Sequence, residues 1–368
     1  MNNNNFQTYF DCGFSKVRAG TFNINNNVAF YAESEFFTDQ SNLELKIQKI
    51  ITSLEMDTNE YINNINLMID SPKIFSIGIS LSKKFDGSEL KQANIQFLVQ
   101  EAKQQILKYY PNQNIAHIII NNYKIDGINY SYLPDAIKCN FISLDILFIC
   151  LPTDLVVYFK KIFSKSNILI NEISCSSYAK SNNYKNNLNL SGYISFVDIG
   201  FNKTSIISYF NSKILSLDIL PIGGNNVTKD ISQILEIDLE QSEQLKRDFD
   251  RIKKSPKDSD ISMEKVQKII FTRMEEILEL CANSIEPKSF TLGKFKMILI
   301  GEGTKIFDND QKDKVTFHNN IHFLNETLED ICQSGFKLLT SPNKQEVMMV
   351  KKKQIKQGFF EKFFHFFR

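Results

Sequence analysis

Two short stretches hold the residues best suited to gripping a charged ligand. Asp11-Cys12-Gly13-Phe14-Ser15-Lys16 and Asp198-Ile199-Gly200-Phe201-Asn202-Lys203 follow one pattern: Asp, any residue, Gly, Phe, Ser or Asn, Lys. Each lies between two apolar runs, so each reads as a strand, a tight turn and a strand. Two such turns aimed at one cleft could hold the phosphates of a nucleotide from both sides. A third stretch, Gly223-Gly224-Asn225-Asn226-Val227-Thr228, follows the apolar run 214–222 and precedes Ile231, Ile234 and Leu235 at helical spacing. Glycine at a strand-to-helix junction lets backbone approach a ligand, and a helix N-terminus offers unpaired N–H groups and a positive dipole. Phosphate is the natural guest.

The elements that position these stretches follow from periodicity. Residues 8–12, 17–22 and 28–36 read as a three-stranded meander. Leu43, Ile47, Ile50, Ile51 and Leu54 mark a helix, and residues 65–69 a strand, which together open an α/β domain. Residues 71–151 behave as an inserted unit, with strands at 75–81, 115–123 and 146–151, an amphipathic helix at 89–110 and a turn at Asp126-Gly127. Pro152 suits the first position of the next helix, and residues 168–173 form a strand. The Asn-, Lys- and Ser-rich stretch 181–191 reads as a polar loop and the boundary between two related halves. Helices at 239–249 and 262–282, separated by a charged turn at 253–257, a strand at 296–300 and a helix at 327–339 complete the order.

Composition narrows the function. The 368 residues carry a formal charge of +1, so no global field attracts nucleic acid, and no basic patch with interleaved aromatics precedes the C-terminus. The six cysteines, at 12, 139, 150, 175, 281 and 332, include no Cys-x-x-Cys pair and read as buried free thiols. The four histidines, at 117, 318, 322 and 365, suggest no metal cluster. The polar N-terminus does not read as a signal peptide, and no run of about 20 apolar residues is present to span a bilayer. A cytoplasmic location is the expectation. At the C-terminus, Lys351-Lys352-Lys353 and Lys356 precede Phe359, Phe360, Phe363, Phe364, Phe366 and Phe367. The phenylalanines share one face of a helix, with Glu361, Lys362, His365 and Arg368 mostly opposite, which is the pattern of an interfacial membrane helix.

The two hairpins, the Gly-Gly-Asn stretch, Glu243-Gln244-Leu245-Lys246 and Leu299-Ile300-Gly301-Glu302-Gly303 resemble the actin-like ATPases, and their order and spacing are most similar to the FtsA family of bacterial cell division proteins. The resemblance implies an α/β, two-lobed actin-like ATPase fold with an FtsA-type inserted subdomain and a C-terminal amphipathic helix. It divides the chain into a first lobe (1–72 and 152–190), the insert (73–151), a second lobe (191–222 and 296–340) with a subdomain over the nucleotide cleft (223–295), a linker (341–353) and the membrane helix (354–368). It also implies ATP and Mg2+ as cofactors. Asp11, Gly13, Ser15, Lys16, Asp198, Gly200, Asn202, Lys203, Thr204, Gly223, Gly224 and Asn225 would lie at the phosphates, with Asp198 orienting Mg2+ through water. Glu243 and Lys246 would meet the ribose and adenine, and Gly301, Gly303 and Thr304 the other side of the base.

Three residues depart from the family pattern. Phe14 and Phe201 sit at hairpin tips where Thr or Gly is usual, and Glu302 replaces a glycine and would set a negative charge beside the nucleotide. The expected enzyme is at most a weak ATPase. The expected partners are the FtsZ C-terminal tail, met near Arg273, the chain itself in a polymer, other division proteins, and an anionic membrane met by the six phenylalanines with Lys362 and Arg368. The implied role is to tether FtsZ to the cytoplasmic face of the inner membrane at the division site. The alternatives are a PilM-like adaptor of a pilus or secretion machine, an active sugar kinase or chaperone-type ATPase, and an actin-fold protein that has lost its nucleotide.

Overall fold

A chain with a repeated hairpin should build one sheet twice, and this chain does. The computed structural model describes residues 6–23, 25, 28–35, 42–188, 190–249, 262–292, 295–307, 320–340 and 346. In the first lobe, β1 (Phe6–Cys12), β2 (Lys16–Asn23) and β3 (Ala29–Glu35) form the meander; α1 (Leu43–Thr58) leads to β4 (Asn64–Ile69), and β9 (Leu169–Cys175) completes the order β3-β2-β1-β4-β9. In the second, β10 (Tyr193–Ile199), β11 (Thr204–Phe210), β12 (Lys213–Leu220), β13 (Phe295–Ile300) and β14 (Ile321–Phe323) repeat it as β12-β11-β10-β13-β14. In both sheets the meander is antiparallel and the two strands beyond it are parallel. Cys12 pairs with Val17 and Ile199 with Thr204. The turns close alike, Gly13 N–H donating to Lys16 O at 3.0 Å and Gly200 N–H to Lys203 O at 2.9 Å.

Every residue of β10 is buried, because it is covered on both faces. Alternate side chains point opposite ways. Phe196 joins a core shared with Phe10, Leu67 and Ile300, while Val197 and Ile199 meet Val227 and Ile231 of α5 (Gly224–Leu235) and Ile270 and Ile277 of α7 (Met263–Leu292). The short α6 (Leu239–Arg247) follows α5 after a turn, with Asp238 accepting Gln241 N–H as its N-cap. Two helices connect the lobes. One, α4 (Ser176–Leu188), joins β9 to β10; the other, α8 (Leu328–Thr340), returns to the first lobe, where Phe336 stacks on Phe22 with ring centroids 4.6 Å apart.

Residues between β4 and β9 build a separate antiparallel sheet, β5-β8-β6-β7, from β5 (Phe75–Lys84), β6 (Gln113–Ile125), β7 (Ile128–Tyr130) and β8 (Phe141–Pro152). The apolar face of α2 (Gln92–Tyr109), formed by Ile95, Leu98, Val99, Ala102 and Ile106, packs with Ile118, Ile120, Leu144 and Phe148 in one core. Helix α3 (Thr153–Lys165) then leads to β9. The unit touches the second lobe at its β12 edge, where Asn121 Nδ2 donates to Ile214 O at 2.7 Å and Ser76 Oγ to Leu217 O at 3.1 Å.

Three sequence expectations need correction. Residues 181–191 are not a boundary loop, since α4 runs through Leu188, with Ser181, Asn182 and Asn183 buried. Pro152 is the residue before α3 rather than its first turn, with ψ 131° outside the helical region. The helix begun near Ser262 continues to Leu292. The charged turn at 253–257, the linker apart from Glu346, and the C-terminal phenylalanine helix with Lys362 and Arg368 lie outside the described residues. Among the described residues no helix is long and apolar enough to cross a membrane.

Candidate functional site

The two hairpin tips face each other across the cleft between the sheets. An inner chamber of about 80 Å³ is lined by Asp11, Gly13, Phe14, Ser15 and Lys16 from the first hairpin and Asp198, Gly200, Phe201, Asn202 and Lys203 from the second, with Gly301 beside them. It opens toward a larger chamber of about 420 Å³ that shares Ser15, Lys16, Gly200 and Phe201 and adds Gly224, Glu243, Lys246 and Gly303. The structure thus brings most of the expected site residues to one place. Thr204, Gly223, Asn225 and Thr304 line neither chamber. Thr204 Oγ1 donates to Ile222 O at 2.8 Å and Thr304 Oγ1 to Gly301 O at 2.8 Å, which makes both turn-stabilising residues.

The N-terminus of α5 does not wait for a phosphate. Gly224 N–H donates to Gly200 O at 2.9 Å and Asn225 N–H to Phe201 O at 2.7 Å, so the helix caps itself on the second hairpin. A Cβ on Gly223 would lie 2.5 Å from Gly200 O and 2.7 Å from Phe201 O. The close approach of the hairpin is by itself enough to require glycine there. Lys246 Nζ donates to Gly224 O at 2.9 Å and meets Glu243 Oε2 at 2.5 Å, 5.3 Å from the centroid of the Phe201 ring. Burial pushes the Lys246 amine down despite Glu243. Burial pushes the Glu243 carboxyl up, but Lys246, Thr228 and Arg247 bring it below its usual range.

The phosphate end holds a network of buried ion pairs. Lys180, on α4, places its ammonium 2.7 Å from Asp198 Oδ2 and 3.5 Å from Glu326 Oε2, with all three side chains at most 8% exposed. Burial works against the charge of both Lys180 and Asp198; their mutual attraction wins, raising the one pKa and lowering the other. Glu326, pushed up by burial, accepts Gly301 N–H at 2.6 Å and Tyr184 O–H at 2.7 Å. Arg18, paired with Asp11 across the first hairpin, donates to Asp11 Oδ2 at 3.2 Å and to Glu302 Oε1 at 2.8 Å. Asp11 also accepts Ser176 Oγ–H at 2.6 Å. Lys203 meets Asp70 at 2.9 Å, and Lys16 meets Glu35 at 2.6 Å and Glu302 at 3.6 Å.

These residues do not fit Mg2+. A magnesium site needs carboxylate oxygens free to hold it or its waters; here Asp198 faces an ammonium and Asp11 a guanidinium at hydrogen-bond distance. Among the described residues no group of three or more His, Cys, Asp or Glu is placed to hold a metal. Sequence reasoning named Glu302 as an intrusive charge but missed Arg18, its partner. The signal was present, since a lone arginine inside the apolar strand Val17-Arg18-Ala19 must find an anion. Lys180, Asp70 and Glu326 carried no such signal. Arg273 is engaged within the fold, holding both carboxylate oxygens of Asp230 on α5 at 2.6 and 2.9 Å and pairing with Glu276.

Two lobes built on the same meander-plus-parallel sheet, with a hairpin from each at the cleft, define an actin-like ATPase fold. The structure of a PilM–PilN type IV pilus biogenesis complex shares the fold, with a TM-score of 0.65 at 12% identity over 88% of this chain and 89% of that one. Within that class the sequence similarity is specific. Residues 195–336 match the family model "Cell division protein FtsA". Cell division protein FtsA of Buchnera aphidicola subsp. Schizaphis graminum is 24% identical over 240 residues, 58% of this chain and 57% of that protein. FtsA of Bacillus subtilis is 26% identical over 113 residues, 27% and 26% of the two. The matched regions span little more than half of the first relative and about a quarter of the second. The chain thus has an actin-like fold and is similar in sequence to FtsA proteins, with the family match centred on its second half.

Proposed function

We propose that this chain is a division-site adaptor that self-associates, binds the FtsZ C-terminal tail and carries it to the cytoplasmic face of the inner membrane, where other division proteins join it. The observation that carries the reading is the FtsA match over residues 195–336, which includes the second hairpin, the Gly-Gly-Asn junction and Arg273. The domain limits set out from the sequence belong to the same proposal. The likeness to the pilus complex concerns the fold alone, and the sequence matches favour the division role over an adaptor of a pilus or secretion machine.

Membrane attachment rests on the phenylalanine pattern of residues 359–367. Half-burying six phenylalanines at roughly 2 kcal/mol each gives on the order of 6 kcal/mol, and each nearby lysine adds up to about 1 kcal/mol on an anionic leaflet. Ordering the tail offsets part of this. One copy binds modestly, and self-association multiplies the anchors. Proteins of this fold generally bind a nucleotide with Mg2+, but the adaptor role proposed here requires neither. The test is co-sedimentation of FtsZ with anionic liposomes, using the full chain and a truncation ending at Lys353. FtsZ reaching lipid only with the full chain supports the tether; a chain that binds lipid and leaves FtsZ in solution overturns the partner.

A further inference from the structure

The cleft's charges leave little for a ligand to neutralise. Each cation that lines the inner chamber has a carboxylate within reach: Lys16 meets Glu35 at 2.6 Å, Arg18 meets Asp11 at 3.2 Å, Lys180 meets Asp198 at 2.7 Å and Lys203 meets Asp70 at 2.9 Å. An Mg–triphosphate would need these carboxylates to give up their partners. It would also set a divalent cation against the Lys180 ammonium in a site shielded from water. Room is short as well. The inner chamber, at about 80 Å³, is about a fifth of the outer one's 420 Å³. The α5 N–H groups that would turn toward a phosphate already donate to Gly200 O and Phe201 O.

The pairs also cross between the lobes. Arg18 lies on β2 of the first lobe and Glu302 just beyond β13 of the second, 2.8 Å apart. Lys203 of the second hairpin reaches Asp70 at the end of β4, and Arg247 of α6 reaches Glu35 of β3 at 2.6 Å. Nucleotide and metal hold two lobes together by placing cation and anion alternately across a cleft. The chain's own side chains make the same alternation.

We propose that the interlobe cleft is clamped by the chain itself, Lys180 standing where a divalent cation would meet Asp198 and the Glu302 carboxylate standing where a phosphate would meet Arg18, so that the lobes stay closed without nucleotide or magnesium. Arg18 also holds Asp11 and Glu302 also holds Lys305, so the Arg18–Glu302 pair joins two local ion pairs into one network across the cleft. It goes beyond the adaptor reading and can be tested without FtsZ or lipid, so the two stand or fall separately.

The experiment is thermal unfolding of the full chain with EDTA, with MgCl2, and with ATP or ADP in the presence and absence of Mg2+. A nucleotide at about a hundred times its Kd would raise the midpoint by roughly 3–4 °C. The expected shift is under about 1 °C in every condition, with the radius of gyration from small-angle scattering unchanged by MgATP. A saturable rise of several degrees with MgATP, removed by EDTA, overturns the proposal. One variant probes the cation position directly. Lys180→Ser frees Asp198, and its midpoint should be lower in EDTA and recover with MgCl2. A folded Lys180→Ser that is indifferent to Mg2+ removes the ammonium from that role, and if the variant does not fold, the titration of the unaltered chain decides alone.

Discussion

Replacing Arg18 with leucine tests how much the clamp contributes to stability. The guanidinium is 8% exposed, 3.2 Å from the Asp11 carboxylate and 2.8 Å from Glu302. Removing it leaves Asp11, 7% exposed, with the Ser176 hydroxyl and, among the described residues, no cation in contact. Removing one partner of a buried pair costs about 3–5 kcal/mol, most of it the penalty for the stranded charge. Glu302 suffers less, being 30% exposed and still holding Lys305 at 3.0 Å. Equilibrium urea unfolding at neutral pH should therefore show Arg18→Leu less stable by about 3–5 kcal/mol, and Arg18→Leu/Asp11→Asn should regain more than half of that, since the stranded charge is gone. Glu302→Gln should cost about 1–2 kcal/mol. Its pH dependence gives a second readout. Burial pushes the Glu302 carboxyl up, but Arg18, Lys305 and Lys16 outweigh it and bring it down to about 2. A depressed carboxyl contributes stability that is present above the unfolded value of about 4.3 and is lost as pH falls through the folded one. The full shift would be worth about 3 kcal/mol, and solvent screening at 30% exposure reduces that to roughly 1–2 kcal/mol. The gap between the unaltered chain and Glu302→Gln should hence close between about pH 4.5 and pH 2. A loss under about 1 kcal/mol for Arg18→Leu, or a gap that does not close on acidification, would refute this account of the cleft.

Gly223→Ala should destabilise the second lobe by roughly 1–3 kcal/mol, because the new methyl meets backbone carbonyls at 2.5 and 2.7 Å that cannot rotate away; a thermal melt indistinguishable from the unaltered chain would mean the hairpin and α5 separate readily. All six cysteines are buried and unpaired, and burial pushes the Cys150 and Cys281 thiols up to about 12. A thiol reagent at pH 8 should label none of them rapidly in the native chain and all of them in urea. Glu346→Ala removes the acceptor for His117 Nδ1–H at 2.6 Å, whose Nε2 already accepts Cys175 N–H at 2.9 Å, and should cost about 1–3 kcal/mol by chemical denaturation while leaving lipid binding intact.

What could be read from the sequence and what could not divides along a physical line. The hairpins were legible because an apolar run, an acid, a glycine and a second run are local, and the pattern recurs at Asp11 and Asp198 with equivalent turns. Helix α1 was legible because one face is wet and the other dry, which gives Leu43, Ile47, Ile50, Ile51 and Leu54 their spacing. Helix α4 has no such contrast. Its Ser181 hydroxyl meets Tyr209 at 2.9 Å, Asn183 meets Ser334 at 3.1 Å and Lys180 meets Asp198, so residues typical of a loop are the ones that pack it between two lobes. Periodicity reports burial only where burial is apolar. The same limit hid the clamp. Asp198 looked like a ligand-binding acid because its partner Lys180 lies on another element, just ahead of a stretch that reads as a polar loop, and only the fold brings ammonium and carboxylate together. A free acid beside a phosphate loop and an acid already neutralised by a distant lysine are identical in local sequence, and they predict opposite responses to magnesium.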